Sequence, residues 1–161
     1  MVEPMKLIPP SEFALKLVRP FTDQTMPQSE IVIRGEPTGK LIDGAILEAA
    51  IGWNDCYLAF ITDDIPHEDT LRIYLFDPRL KLIDSATLGA MYSTGSFGHL
   101  ELSPPNMLSF TFIGDTTWGL ELLGQDELAL PFIADPTGVS RPFAFHRRFR
   151  IYGRPKPETR S

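Results

Sequence analysis

The densest group of polar side chains in the sequence lies between residues 63 and 69. It contains Asp63, Asp64, His67, Glu68 and Asp69. Carboxylate oxygens bind hard cations such as Ca²⁺, but a calcium loop has a glycine at its central turn, where this segment has a stiff proline. We therefore predict a solvated acidic loop whose four carboxylates attract a basic protein partner, with cation binding as the alternative.

Trp53 is a further candidate for partner binding. It directly precedes Asn54 and Asp55, a pair that is typical of a tight turn between strands. Tryptophan is enriched among the residues that dominate the binding energy of protein interfaces. We predict that Trp53 contacts the partner, with packing in the core or at its rim as the simpler alternative.

Known catalytic, metal and cofactor motifs are absent from the sequence. His67, His99 and His146 do not have the spacing of zinc ligands. The lone Cys56 lies in an apolar run, where no helix start would activate its thiol. The small residues at 93–98 lack the lysine of a phosphate-binding loop. We predict no catalytic residue, no metal and no cofactor; the alternative is an enzyme with a scattered site.

The polar residues that come nearest to such a scattered site are His99, Glu101 and Asp115. We expect them on or beside neighbouring strands. A cleft that joins the three would support an enzyme.

The charge of the chain is divided between an acidic body and a basic end. Residues 1–135 contain 8 Lys and Arg against 20 Asp and Glu, whereas residues 136–161 contain 7 against 1. The arginines of this end are interleaved with Phe143, Phe145 and Phe149, and basic surfaces with aromatic rings bind single-stranded nucleic acid. However, the phenylalanines have the spacing of a core strand, and the net charge of -6 repels a polyanion. We expect the basic strand to dock on the acidic body and do not expect nucleic-acid binding.

Strands are the elements that must position these residues. Apolar and polar side chains alternate in short runs along much of the chain, most clearly between Leu100 and Leu122. This alternation is typical of half-buried strands, and short connections between them imply antiparallel neighbours. We predict a mainly β fold, an antiparallel meander that forms a sandwich or open barrel, with at most one or two short helices.

The 161 residues fit a single domain that spans residues 1–161. Within it we expect an N-terminal arm at 1–10, a basic strand at 143–152 and a tail at 153–161.

Residues 41–51 are the segment in which helix and strand compete. The alanines and Glu48 favour a helix, whereas Gly44 interrupts one. We predict a hairpin that joins residues 45–52 to 56–62, with a short helix as the alternative.

Three further expectations concern the surroundings of particular segments. The run Cys56–Ile61 is apolar on both faces, which predicts a central strand covered on both sides. Residues 84–98 and 124–142 are expected to be loops. Arg147 falls on the apolar face of the last strand, so we expect either a partner carboxylate or a local bulge.

Composition restricts the class of protein further. Hydrophobic residues make up 43% of the chain, which is ordinary for a folded domain, and no apolar run is long enough for a membrane-spanning helix. The first residues carry no signal-peptide pattern, and a single cysteine forms no internal disulfide. We expect a cytoplasmic protein that does not contact a membrane.

These observations favour a non-enzymatic binding protein whose acidic surface engages a basic protein partner. Small acidic immunity proteins, which neutralise a toxin, have a similar composition, although no motif supports that role. The alternatives are a carrier of a small molecule or lipid inside a β-barrel and the enzyme with a scattered site. Homo-oligomerisation through an edge strand is a further possibility.

Overall fold

The computed structural model describes residues 5–65, 69–89, 95–113, 116–128, 135–142 and 146–153. The secondary structure of these residues consists of thirteen strands, with no helix. The strands are β1 Lys6–Leu7, β2 Phe13–Arg19, β3 Gln28–Ile33, β4 Glu36–Asp43, β5 Ile46–Trp53, β6 Cys56–Thr62, β7 Leu71–Phe76, β8 Leu82–Leu88, β9 Gly98–Ser103, β10 Met107–Thr111, β11 Thr117–Leu128, β12 Val139–Ser140 and β13 His146–Tyr152.

The strands form three antiparallel sheets. The central sheet has the order β1-β5-β6-β7-β8-β12, the outer sheet β13-β11-β10-β9 and the small sheet β2-β3-β4. The sheets pack face to face and none of them closes on itself. The prediction of a mainly β fold that forms a sandwich or open barrel is therefore confirmed.

The central sheet is covered on both faces by separate hydrophobic cores. Leu58 and Phe60 of β6 lie in the core shared with the outer sheet, together with Phe110 and Trp118. The next residues along β6 alternate to the other face, where they pack in the core shared with the small sheet. That second core contains Ile8, Phe13, Ile31, Ile42, Ala50, Ala59, Ile61 and Phe76. The prediction of a central strand covered on both sides is confirmed.

The segment 41–51 contains strands on both sides of a tight corner. Gly44 makes this corner at φ 126°, and an added Cβ would collide with the side chain of Ile61. The β5–β6 hairpin turns at Asn54 and Asp55, which have φ values of 48° and 63°. Positive φ at both central residues is the requirement of the two-residue hairpin turn. The hairpin prediction is confirmed because alternating side chains of β5 fill two cores, which outweighs helix propensity.

Some strands extend further than the sequence indicated. β4 runs from Glu36 and contains Pro37, a residue type that is uncommon inside strands. β8 continues to Leu88, inside the expected loop 84–98, because Ala86 and Leu88 are buried in the larger core. Small polar residues alternate with these buried residues and lie on the opposite face of β8. They give the segment a loop-like composition, which was misleading.

Both ends of the described chain are part of the sheets. Met5 and Ile8 of the expected arm are buried, and β1 pairs with β5. β13 pairs with β11 and supplies the predicted basic strand from His146 onward. The expected positions of Phe143 and Phe145, and the tail from residue 154, lie outside the described residues.

A buried ionic cluster joins the central sheet to the outer sheet. Asp84 of β8 lies 2.7 Å from the guanidinium of Arg141, and their side chains are only 3% and 2% exposed. The same carboxylate accepts a hydrogen bond from Arg147 at 3.3 Å and one from the backbone N–H of Arg148 at 2.8 Å. Arg141 also donates to the carbonyl oxygen of Phe149 at 3.0 Å. The cluster therefore holds β13 against β8.

Arg147 confirms the expectation for a charge on the apolar face of the last strand. Its partner carboxylate is Asp84, and the register between β11 and β13 shifts between Leu122 and Glu127. The carboxylate and the irregular pairing thus occur together.

Replacement of Asp84 by asparagine is expected to lower the free energy of unfolding by about 3–5 kcal/mol, because it leaves the buried charge of Arg141 with only the more distant and more exposed carboxylate of Asp135, at 3.7 Å. Urea denaturation followed by tryptophan fluorescence measures this change. The exposed Asp23→Asn is the matched control and should change stability by less than about 0.5 kcal/mol. Equal unfolding midpoints for the two variants would contradict the role of Asp84.

Candidate partner-binding surface

Carboxylates from two strands and one connection meet at one end of the central sheet. Pairing of Ile46 with Thr62, and of Thr62 with Leu71, brings the start of β5, the end of β6 and the start of β7 into one row. We call the carboxylates around this row the acidic rim, which consists of Asp43, Glu48, Asp64 and Asp69. The first three are exposed and Asp69 is half-buried.

Asp63 is buried, unlike the surface carboxylate that the sequence suggested. It is 1% exposed, and its two oxygens accept hydrogen bonds from Arg72 at 2.8 Å and 3.1 Å. Burial acts to lower the pKa of Arg72, but the hydrogen bond and the charge of Asp63 outweigh it and raise the pKa. This pair is neutral overall, although the charge of Asp43 also contributes to the raised pKa of Arg72.

Asp69 joins the two described ends of the connection between β6 and β7. Its Oδ1 accepts hydrogen bonds from the backbone N–H groups of Asp63 at 3.0 Å and Thr70 at 2.9 Å. Asp64, next to Asp63 in the chain, has a φ of 58° and an exposed side chain. The predicted residues Asp64 and Asp69 are thus presented at the surface, while Glu68 and His67 lie outside the described residues.

Glu48 and Asp43 were not identified by sequence reasoning. Glu48 Oε1 accepts a hydrogen bond from Thr62 Oγ1 at 2.9 Å, which holds it beside the β6 terminus. The hydroxyl of Tyr74 donates to the backbone oxygen of Asp43 at 2.9 Å. A correct register for the β5–β6 hairpin could have predicted the position of Glu48. The position of Asp43 depends instead on the contact between two sheets.

Trp53 lies in the core, away from the acidic rim. It is 5% exposed and its indole N–H donates to the carbonyl oxygen of Pro105 at 2.8 Å. It ends β5 at the opposite end of the strand from Glu48. The structure therefore corrects the placement of Trp53 at the partner surface: the indole bridges the central sheet to the β9–β10 connection.

His99 and Glu101, the two described residues of the scattered-site hypothesis, do not line the same depression. His99 lines an open depression of about 530 Å³, with Ser96, Thr111 and Thr117 around it. Glu101 lies opposite Ser109 in the register of the outer sheet and does not line the depression. Asp115 lies outside the described residues.

Metal sites and membrane spans were sought in the same part of the chain. No three His, Cys, Asp or Glu side chains in the described ranges are placed to hold a metal ion. No helix with the length and apolar character needed to cross a membrane is present in those ranges.

Comparisons of the chain with models of protein families, with curated proteins and with solved structures found no match. Inference about function therefore rests on the geometry of the surface.

Tyr74 links the acidic rim to stability at high pH. Burial raises its pKa to about 12 from an ordinary value of 10, an effect that Arg72 opposes and Asp43 reinforces. The folded state holds this proton more tightly than the unfolded state, so the contribution is complete below pH 10 and is lost as the pH rises toward 12.

Tyr74→Phe is therefore expected to remove part of the loss of stability that the wild type shows between pH 10 and about pH 12. Urea unfolding of both proteins across this range measures the difference. Tyr152→Phe, at an exposed tyrosine, is the control. Parallel pH profiles for the wild type and Tyr74→Phe would contradict the assignment.

Proposed function

We propose that this protein is a non-enzymatic binding protein that engages a basic protein partner through the acidic rim. The observation that carries the proposal is the meeting of Asp43, Glu48, Asp64 and Asp69 at one end of the central sheet, where the charge of Arg72 is already neutralised by Asp63. Such a surface attracts cations from a distance and orients an approaching partner.

The carboxylates of the ion pairs in the fold differ from those of the rim, and this difference supports the proposed role. Asp63 and Asp84 are bound to arginine side chains and serve the interior. The described contacts of Glu48 and Asp69 are with Thr62 and with backbone N–H groups, which leave their negative charges uncompensated. Unpaired carboxylates at one end of the molecule are suited to an outside cation.

The open depression beside His99 favours a second candidate, the binding of a small polar molecule. Hydroxyl groups of Ser96, Thr111 and Thr117 surround it, and these donate and accept hydrogen bonds. A lipid inside the sandwich has less support, because Phe60 and Trp118 are among the buried side chains between the larger sheets.

Charge reversal at the rim tests the proposal. The double variant Glu48→Lys/Asp64→Lys should lose a basic partner that the tagged wild type captures from its native host at about 0.1 M salt, because the reversed charges repel it. Mass spectrometry identifies the captured proteins and their isoelectric points. Capture by the wild type should also fall steeply toward about 1 M salt, where charges are screened within a few ångströms.

The matched control is Glu36→Lys/Glu101→Lys, which makes the same change of net charge at exposed positions away from the rim. It should retain the partner. Capture that survives reversal of the rim, or that is lost equally in both double variants, would refute an assignment of binding to the acidic rim.

A further inference from the structure

The connection between β2 and β3 is a tight hairpin that presents two apolar side chains. The backbone of Thr22 and Thr25 makes reciprocal hydrogen bonds of 2.9 Å and 3.3 Å, and their hydroxyl groups lie 2.7 Å apart. Phe21 and Met26 flank this turn on its two arms. They are 45% and 40% exposed, so the turn holds them at the surface rather than in the core.

We call Phe21 and Met26 the apolar tip. Further exposed apolar residues lie at the ends of β2 and β4 and at the start of β5, namely Leu17, Val18, Leu41 and Ile46. The register aligns Leu17 with Ser29 and Glu30 with Leu41, so Leu17 and Leu41 lie on opposite faces of the small sheet and do not share one patch. Each of these side chains is at least 40% exposed. Exposed apolar patches commonly mark interaction sites.

The apolar tip adjoins the acidic rim. Gly44 N–H donates to the carbonyl oxygen of Pro27 at 2.9 Å, and Gln28 pairs with Asp43. Met26 and Ile46 therefore lie on the two sides of a contact that also carries a rim carboxylate. An apolar centre bordered by charged groups is the usual anatomy of a protein interface.

We propose that the apolar tip and the acidic rim form one surface that binds a cationic amphipathic segment of the partner. The apolar side chains of that segment pack on Phe21 and Met26, and its lysines or arginines face Asp43, Glu48 and Asp64. This inference rests on the proposed function and specifies the chemistry of the partner. A basic amphipathic segment satisfies both halves of the surface at once.

Charge complementarity favours a cationic segment over an anionic lipid surface or a second copy of this chain. Asp23 lies within the turn itself and adds to the carboxylates beside the tip. The exposed cations of the adjoining strands are Arg19, Lys40 and Lys16, the last of which lies opposite Glu30 in the register. The excess of carboxylates repels an anionic lipid surface. It also repels a second copy of a chain whose net charge is -6.

Two synthetic peptides of equal charge test the inference. The first has lysine and leucine at helical spacing, and the second has glutamine in place of each leucine. Isothermal titration calorimetry with the wild type should give an affinity about tenfold higher for the lysine–leucine peptide, since buried aromatic and apolar anchors dominate interface energies. Phe21→Ser/Met26→Ser should abolish this preference and leave binding of the lysine–glutamine peptide unchanged.

The matched control for the tip is Leu7→Ser/Leu82→Ser, which removes two exposed apolar side chains away from the tip and should keep the tenfold preference. Circular dichroism and thermal unfolding confirm that each variant is folded. Glu48→Lys/Asp64→Lys should weaken binding of both peptides.

The outcomes separate the two proposals. Equal affinity of the wild type for both peptides, with both weakened by Glu48→Lys/Asp64→Lys, overturns the apolar half and leaves the proposed function standing. Absence of binding to either peptide overturns both. Binding to vesicles of anionic phospholipid, or self-association in sedimentation, that is lost in Phe21→Ser/Met26→Ser assigns the tip to a lipid surface or a second copy and overturns the inference.

Discussion

The position of the outer sheet depends on the buried carboxylate of Asp84. Its oxygens receive the guanidinium groups of Arg141 and Arg147 and the backbone N–H of Arg148, and Arg141 lies with its guanidinium carbon 4.3 Å from the ring centre of Phe149. Burial lowers the pKa of Arg141, and the charge of Asp84 opposes that effect. A buried ion pair is a weak source of net stability, but it tolerates few alternative geometries. It therefore fixes where β13 crosses β8 more than how strongly the sheets adhere.

The central sheet transmits this order to the other face of the molecule. Because β6 contributes to both cores, the register that aligns Phe60 with the outer sheet also aligns Ile61 with the small sheet. The same register places Thr62 beside Glu48 and leads directly into the pair of Asp63 and Arg72. The acidic rim thus depends on strand pairing for Asp43 and Glu48 and on the β6–β7 connection for Asp64 and Asp69.

Local patterns in the sequence predicted most of the strands, but not β1, the end of β8 or β12, and they were insufficient for the surface. Alternation predicts β6 and β7 because each residue's face follows from its neighbours, and Asn54 with Asp55 predicts the turn because both tolerate positive φ. Even the partner of Arg147 could be anticipated as a carboxylate, since a charge on an apolar face needs one. The sequence could not identify this carboxylate as Asp84, because Asp84 is 63 residues away in the chain. A run of acidic residues also did not reveal that Asp63 turns inward to Arg72 and Asp64 outward.

The account of function places an apolar hairpin tip and an acidic rim on one end of the sandwich, opposite the buried Trp53. Hydrogen–deuterium exchange of the protein, alone and with a basic protein captured from its native host, tests this most directly, because it reports backbone protection without any substitution. The account predicts protection at residues 20–28, 43–48 and 62–65. Protection confined to the outer sheet, or to the turns at 54–55 and 77–81 at the other end, would contradict it.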